Sequence, residues 1–484
     1  MRHNLIFLAI LLPLAGGLAI ALLPREKSRK ILFIEVLGAT ALCALAVTLT
    51  DSGLAGVLEL GPFAFRLGGD RLGRFFGLFF ALLFLLAGVF SLEYNEHDKK
   101  QNRFDLFFLL TLGSLMGLSY AQNLFTYYLF YESMTLCSMP LVFHTGDEKA
   151  MKAAVRYLGY SLFGAALVLF GFFYAGKYCD TTDFLAGGRI NGFGAEHMTM
   201  ALRAAFCLLL GFGCKAGMLP LHHWLPVAHP VAPAPASAVL SAAITKAGVL
   251  GVIRGAYYVF GADLLRGTWV QEALVWLALA TVFTGSMLAY REKLLKRRLA
   301  WSTVSQVSYV LYGLFLFQPQ AYSGAMMQVL FHGLCKTGLF LIAGAIIHKT
   351  GKTMVYELAG LGRKMPLTFL CFALCSLSLV GIPPFAGFVS KWSLAVGGIS
   401  AMGITGAVGA AVLLVSALLT AGYLFPIAIH GFAEGGEWQE SLEPGKRMLI
   451  PVAVLALSLL VLGLFTGPVE ALCAELAGVL YGGG

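Results

Sequence analysis

Long apolar runs separated by short polar segments dominate the chain. A membrane-spanning helix needs about twenty apolar residues, and runs of that kind lie near 4–24, 31–49, 73–91, 104–118, 121–143, 153–176, 200–219, 236–260, 270–290, 299–318, 322–347, 366–397, 404–430 and 447–466. The pattern predicts an all-α integral membrane protein with about fourteen transmembrane helices. Residues 50–72 instead alternate apolar and polar positions around Gly61 and Gly68, which predicts a short external hairpin.

Composition and charge agree with a membrane protein. The 484 residues are 58% hydrophobic and 12% charged, whereas soluble domains have about 45–50% apolar and about 25% charged residues. We number the loops from the one that follows the first apolar run. Of the 34 lysines and arginines, 21 lie in the odd-numbered loops and 8 lie on the opposite side of the membrane. The positive-inside rule places the basic loops in the cytoplasm and both termini outside. We therefore expect a multi-pass protein of the cell inner (plasma) membrane, and no nucleic-acid partner.

Two of the apolar runs are interrupted by glycine and proline. The first break lies near Gly213–Pro220 and the second at Gly381–Pro384. Lipid cannot bond the carbonyls that a break frees, so protein or water must surround it. The breaks fall in the fourth of five spans over 104–260 and again over 270–430, which predicts two inverted five-helix repeats. Residues 1–103 then hold the first three helices with the hairpin, and 431–484 a final helix and a short tail.

Few ionisable residues interrupt the apolar spans, and by default such residues mark an ion path. They are Glu132, Lys215, Lys246, Arg254, His332, Lys336 and Lys391. Glu132 is either a structural carboxylate bonded to Tyr128 or Ser133, or the partner of Lys215. Coupling predicts that the polar atoms of Glu132 and Lys215 lie within roughly 4–8 Å. Arg254 is near a helix end and is expected to extend its guanidinium toward the membrane surface.

A polar stripe follows one face of the helix that begins near Tyr322. Gln328, His332 and Lys336 are four residues apart and therefore share a face. The preceding helix offers Ser302, Ser305 and Gln306 on a similar face. Facing stripes can hold water for proton transfer, or they can join helices by hydrogen bonds. The serines alone leave both interpretations open, whereas His332 and Lys336 favour the hydrated path.

Metal and cofactor chemistry is not predicted. The chain has no CxxC motif, so an iron–sulfur or zinc site is not indicated. His222 and His223 are adjacent and point apart, and no acid lies close to them or to His229. Hydrogen bonding or partner contact is the better interpretation of these histidines. Because nothing in the sequence indicates flavin, nicotinamide or quinone binding, we expect no cofactor and no electron transfer by this chain itself.

Four segments carry a specific resemblance to a known family. They are LPLHHWLPVAHPVAPAPASAVL, the Lys296–Gln306 run KRRLAWSTVSQ, FHGLCKTGLFL from Phe331, and GIPPFAGFVSKW from Gly381. Together they resemble the antiporter-like membrane subunits of respiratory complex I, Mrp antiporters and membrane-bound hydrogenases. The likeness covers about 70–465 and is greatest to D-type Mrp subunits. One departure is Val227, where members often carry an acid.

The resemblance implies a role for each buried ionisable residue. Glu132 and Lys215 match the family's glutamate–lysine pair, and Lys246 its bridging lysine. His332 and Lys336 match the central relay, and Lys391 the lysine at the exit. Ser302, Ser305, Gln306 and Gln328 are expected to support this proton relay, with the relay groups at one membrane depth and gaps of about 5–10 Å.

Two functions follow from this resemblance, both with other membrane subunits as partners. The first is proton translocation as a non-redox subunit of an oxidoreductase complex, either NADH dehydrogenase-like or a hydrogenase. The alternative is a subunit of an Mrp-type Na⁺/H⁺ antiporter without redox chemistry, in which case Na⁺ is carried as well. A self-sufficient transporter for an organic solute is less consistent with ionisable residues arranged in a line.

Overall fold

The computed structural model describes residues 4–23, 26–50, 52–61, 63–178, 183–188, 195–433 and 441–481. Before the first break it contains α1 (Asn4–Leu22), α2 (Glu26–Thr48), β1 (Gly53–Leu60), β2 (Phe63–Gly69), α3 (Arg71–Tyr94), α4 (Gln101–Ser119), α5 (Leu124–Val142), α6 (Glu148–Tyr178) and α7 (Ala195–Ala216). The two strands pair antiparallel. The structure therefore contains the hairpin that the alternating pattern predicts.

The chain after the first break is also helical. It contains α8 (Trp224–Val231), α9 (Ala234–Val239), α10 (Thr245–Ile253), α11 (Ala262–Leu265), α12 (Trp269–Arg291), α13 (Leu295–Phe315), α14 (Pro319–Thr350), α15 (Leu361–Lys364), α16 (Pro366–Val380), α17 (Ala386–Ala433), α18 (Lys446–Leu464) and α19 (Gly467–Tyr481). π-helical turns at Leu240–Ile244 and Arg254–Val259 flank α10, and a 3₁₀ turn covers Val355–Leu358. The tail predicted to be short thus forms the helix α19, which packs on α14.

Ten helices in the described chain are long and apolar enough to cross a membrane. The predicted number of about fourteen is therefore not confirmed. The difference has a physical origin, since α4, α5 and α13 are 19 to 21 residues long but carry more polar side chains. The range given for α17 also covers parts of two predicted spans, because it consists of two helical segments that meet at a kink, where Met402 and Gly403 have non-helical backbone angles.

The helix α14 lies at the centre of the fold. It packs against α3, α13, α16, α17, α18 and α19, and its polar stripe is buried with it. The segment Ala234–Val259, which includes α9 and α10, is likewise buried along its whole most apolar window. These two elements carry Lys246, His332 and Lys336, so the fold places the polar stripe inside protein rather than against lipid.

Arg254 does not extend to the membrane surface, contrary to the sequence-based expectation. Its side chain is fully buried, and both terminal nitrogens bond Asp70, at 2.6 and 2.8 Å. The guanidinium also lies 4.8 Å from the ring centres of Phe184 and Tyr258. The partner of the arginine is therefore Asp70, the residue just before α3. The interaction joins the end of the hairpin to the π-helical turn after α10.

We expect Arg254→Met to destabilise the protein by about 3–5 kcal/mol, because it leaves Asp70 with an unpaired and largely buried charge. Denaturant unfolding of the purified protein in detergent measures this change. Lys152→Gln is the control, since it removes the 2.5 Å ion pair between Lys152 and Glu148, which is exposed on both sides. An Arg254→Met protein as stable as the control would contradict the prediction.

Candidate functional site: buried lysines beside two helix breaks

Both predicted breaks are present. The helix α7 ends at Ala216, Gly217 has a φ of +83°, and the next helix starts at Trp224. The helix α16 ends at Val380, Gly381 has a φ of +89°, and α17 starts at Ala386. Each glycine adopts a left-handed backbone that other residues rarely take. The breaks are therefore confirmed, while the inversion that relates the two halves stays a prediction.

The lysine at the first break, Lys215, lies among hydroxyl groups. Its Nζ donates to Ser161 Oγ at 2.7 Å, to Thr135 Oγ1 at 2.9 Å and to the Tyr157 hydroxyl at 3.2 Å. It also lies 4.6 Å from the centre of the Tyr157 ring. The side chain is buried, and α5 and α6 supply these partners. Three oxygen acceptors satisfy the three hydrogens of an ammonium group, so the pocket can hold Lys215 in its protonated form.

Glu132 and Lys215 do not form an ion pair within 4.0 Å in the described structure. One carboxylate oxygen of Glu132, Oε1, is buried without a protein partner. Thr135, which accepts from Lys215, lies one helical turn beyond Glu132 on α5. Thr135 is thus placed on the same helix as the carboxylate and in contact with the lysine. The coupling of Glu132 to Lys215 stays a prediction.

Lys246 and His332 are in direct contact. The Lys246 Nζ lies 2.6 Å from His332 Nδ1 and donates at 3.0 Å to the carbonyl of Ser241. Both side chains are buried. A contact this short requires one hydrogen between the two nitrogens, so an ammonium group and a doubly protonated ring cannot both be present. The geometry therefore fits a hydrogen bond in which one nitrogen donates to the other, which is the arrangement needed for proton transfer.

A glycine two residues after Lys246 allows α10 to approach α7 closely. A Cβ on Gly248 would lie 2.7 Å from the backbone nitrogen of Ala216 and 3.0 Å from the Lys215 Cβ. The absence of a side chain thus lets α10 pack directly on the end of α7. Gly248 therefore has a packing role that brings the helices carrying Lys215 and Lys246 together.

The remaining two buried lysines, Lys336 and Lys391, bond backbone carbonyls, and the arrangement of the relay groups in a line at one membrane depth stays a prediction. Lys336 Nζ donates to the Leu299 carbonyl at 3.0 Å. Lys391 Nζ donates to the Val380 carbonyl at 3.0 Å and also to that of Leu379. Leu379 and Val380 end α16 at the second break, where carbonyls lose their helical partners. The break therefore creates the acceptors that hold Lys391.

Gln306 and Gln328 form a hydrogen bond that continues to Ser390, the residue before Lys391. Gln328 is one turn before His332 on α14, and its Nε2 donates to Gln306 Oε1 at 3.1 Å. Ser390, beside Lys391, donates to Gln328 Oε1 at 2.6 Å. His332 Nε2 and Gln306 Nε2 are buried without protein partners. Polar groups thus continue from the histidine toward the second break.

Ser302 and Ser305 contact other helices instead. The Tyr423 hydroxyl donates to Ser302 at 2.6 Å, and Ser305 lies 2.8 Å from Ser286 and 3.2 Å from Ser416. These are bonds between α13 and the helices α12 and α17. For the two serines the contacts favour the interpretation as interhelical hydrogen bonds, and their part in a relay stays a prediction.

The burial of two further ionisable residues, Lys296 and His229, was not predicted from sequence, and His229 lacks the hydrogen bonds expected of it. Lys296, counted with the loop lysines, is 7% exposed and donates to the Ala232 carbonyl at 2.5 Å. His229 is fully buried with its ring 4.6 Å from that of Phe340, and both ring nitrogens lack protein partners. A lysine at the start of an apolar helix resembles a loop residue, so only the packing of α8 on α13 reveals its burial. His222 lies instead near the Trp301 ring.

This fold, with its buried lysines and two broken helices, defines a multi-pass integral membrane protein of the antiporter-like type. The family model "NADH:quinone oxidoreductase/Mrp antiporter, TM" matches residues 121–429, which is more than half of the chain. The chain belongs to this family.

Relatives whose names give different functions share this likeness. The chain is 32% identical to NADH-quinone oxidoreductase subunit N of Desulforudis audaxviator, with 96% of each chain covered. It is 26% identical to the D-type subunit of the Na⁺/H⁺ antiporter of Bacillus subtilis, covering 96% of this chain and 94% of that protein. It is 33% identical to hydrogenase-4 component B of Escherichia coli, covering 68% of this chain and 51% of that longer protein.

Solved structures share the fold. A chain of the Mrp complex from Dietzia sp. matches with a TM-score of 0.86 at 24% identity, covering 99% of this chain and 97% of the other. A chain of the respiratory complex I from Thermus thermophilus matches with a TM-score of 0.80 at 24% identity, covering 98% and 99%. At these identities the likeness shows the fold.

Proposed function

We propose that the chain is a proton-translocating, antiporter-like membrane subunit of a redox-driven complex, either NADH dehydrogenase-like or an energy-converting hydrogenase. The observation that carries the proposal is the 2.6 Å contact between Lys246 Nζ and His332 Nδ1 in the protein interior. Two titratable nitrogens that share one hydrogen can exchange it without exposing a charge to lipid. Lys215 on one side and Lys336 and Lys391 on the other extend the contact into a relay.

The relay moves protons by exchange between neighbouring groups. A proton on Lys215 is held by the hydroxyls of Thr135, Tyr157 and Ser161, and Glu132 supplies the opposite charge one turn away from Thr135. The proton at Lys246 passes to His332, and from there along the face of Gln328 toward Lys391. Water beside His332 Nε2 and Gln306 Nε2 completes the path, because buried polar atoms without protein partners are where ordered water is expected.

Partners supply the driving reaction. The relatives are components of NADH-quinone oxidoreductase, an Na⁺/H⁺ antiporter and hydrogenase-4, which supports a position for this chain beside other membrane subunits in the inner (plasma) membrane. The distribution of basic loops supports an orientation with both termini outside. Electron transfer then takes place in partner proteins, and this chain moves protons.

A second function has support of its own. The likeness to the D-type antiporter subunit of Bacillus subtilis extends over nearly the full length of both chains, which supports an Mrp-type Na⁺/H⁺ antiporter without redox chemistry. The purified complex in sealed vesicles separates the two functions. Acidification driven by an electron donor supports the redox-driven complex, whereas proton movement driven by an imposed Na⁺ gradient alone supports the antiporter.

We expect His332→Gln to reduce proton translocation in these vesicles by roughly tenfold or more, because glutamine can bond Lys246 but cannot take up its proton. A pH-sensitive dye inside the vesicles measures the rate. His348→Gln is the matched control, since His348 is an exposed histidine on the same helix α14. Equal rates in the two variants, with both complexes fully assembled, would refute the role of His332.

A further inference from the structure

A groove between transmembrane helices is lined by none of the buried lysines. It is a cavity of about 560 Å³ lined by α3, α14 and α19, and we call its end beside Thr48 and the first turn of α3 the mouth. Its walls are mainly leucine and phenylalanine side chains, including Phe75, Leu82, Leu334 and Leu472. The mouth carries two arginines, Arg71 and Arg74. An apolar channel that ends in arginine is the arrangement that an acidic amphiphile requires.

The two arginines differ in their pairing. Arg71 bonds Glu475 at 2.7 Å in an exposed ion pair. Arg74 bonds the Gly69 carbonyl at 3.3 Å, and its Nε is buried without a protein partner. Among the described residues no carboxylate lies within ion-pair distance of Arg74. The mouth therefore has a net positive charge and a guanidinium group available for an anion.

The dimensions fit a lipid chain better than a helix. From Arg71 to Leu83 the lining follows about 18 Å of α3, close to the roughly 15 Å of hydrocarbon in one leaflet. Spread over that length and widened by the radius of a water molecule at each wall, the volume gives a passage roughly 9 Å across. A helix with its side chains is about 10–12 Å wide, so it would not enter the groove.

We propose that this groove binds an anionic phospholipid. Its phosphate contacts Arg74 at the mouth, and one acyl chain lies along Leu78, Leu82, Leu334 and Leu472. Basic pockets between transmembrane helices are suited to acidic headgroups, and the leucine walls replace the contacts that the chain has in the bilayer. The lipid would thereby fill the space between α3 and α19 and support the packing of the C-terminal helix.

Photo-crosslinking tests the site. The intact complex is placed in vesicles that contain traces of either phosphatidylglycerol or phosphatidylcholine with a photoreactive group in one acyl chain, and labelled peptides are identified by mass spectrometry. We expect phosphatidylglycerol to label α3, α14 and α19 around the groove. Arg74→Gln should lower this labelling roughly fivefold, which is the change expected from losing one arginine near an acidic headgroup.

Two further variants make the result specific. Leu334→Trp fills the groove and should lower labelling by both lipids, whereas Leu414→Trp, on an exposed part of α17, should change neither. Arg203→Gln, at an exposed position of α7, is the control for charge. Equal labelling by the two lipids in the wild type, or no effect of Arg74→Gln, would overturn the anionic site. Labelling of neighbouring subunits without labelling of the groove peptides would overturn it as well.

Discussion

Lys391→Ala is expected to leave the complex assembled and to reduce proton translocation about a hundredfold. Lys391 is the last group of the proposed relay, held by the carbonyls of Leu379 and Val380 at the second break. Without it, a proton leaving His332 has no titratable receiver at this position. An unassisted charge within the membrane costs about 2.5–3.5 kcal/mol on insertion scales, and each 1.36 kcal/mol changes a rate tenfold. Vesicle acidification measures the loss.

A second substitution separates proton transfer from structure. Lys391→Arg keeps the positive charge and the donors to both carbonyls, yet arginine does not release its proton. We therefore expect Lys391→Arg to assemble and to be as inactive as Lys391→Ala. Lys349→Ala, at an exposed lysine of α14, should keep the wild-type rate. Normal translocation in Lys391→Arg would show that only the charge at this position matters, and would contradict transfer through Lys391.

The breaks could be predicted from sequence because their cause is local. Gly217 and Gly381 adopt positive φ angles that favour glycine, and the prolines that follow them cannot continue a helix. The stripe of Gln328, His332 and Lys336 could be predicted for a similar reason, since helical spacing alone places residues four apart on one face. Features that depend only on neighbouring residues, such as a helix break or a shared helix face, can therefore be predicted from the sequence.

The partners of the buried charges could not be predicted in the same way. Lys215 bonds hydroxyls on α5 and α6 that lie 54 to 80 residues before it. Arg254 pairs with Asp70, 184 residues away. Because such contacts depend on how helices pack, an arginine near a helix end has the same sequence pattern whether it reaches the surface or an internal carboxylate.

Polar residues on a helix face also have more than one possible partner. Gln306 and Ser305 are adjacent on α13, yet Gln306 bonds Gln328 in the proposed relay whereas Ser305 bonds Ser286 and Val282 on α12. Neighbouring positions on a helix point about 100° apart, so a stripe three residues wide already faces two different helices. The sequence therefore predicted which residues of α13 are polar. The packing of the helices decides which of them faces the proposed relay and which forms interhelical hydrogen bonds.

Lys246→Met is expected to stop proton translocation as completely as the loss of Lys391. Among the described residues Lys246 is the only hydrogen-bond partner of His332 Nδ1, at 2.6 Å, so its removal interrupts the proposed relay between Lys215 and the histidine. Methionine fills a similar space and avoids a buried unpaired amine, which should keep the fold intact. The rate should fall about a hundredfold, by the same cost of an unassisted charge.

Proton uptake is measured in vesicles with the complex at equal abundance, and unfolding in detergent tests the fold. A stable Lys246→Met complex that translocates at the wild-type rate would show that protons bypass the contact, and the relay through Lys246 and His332 would then be wrong.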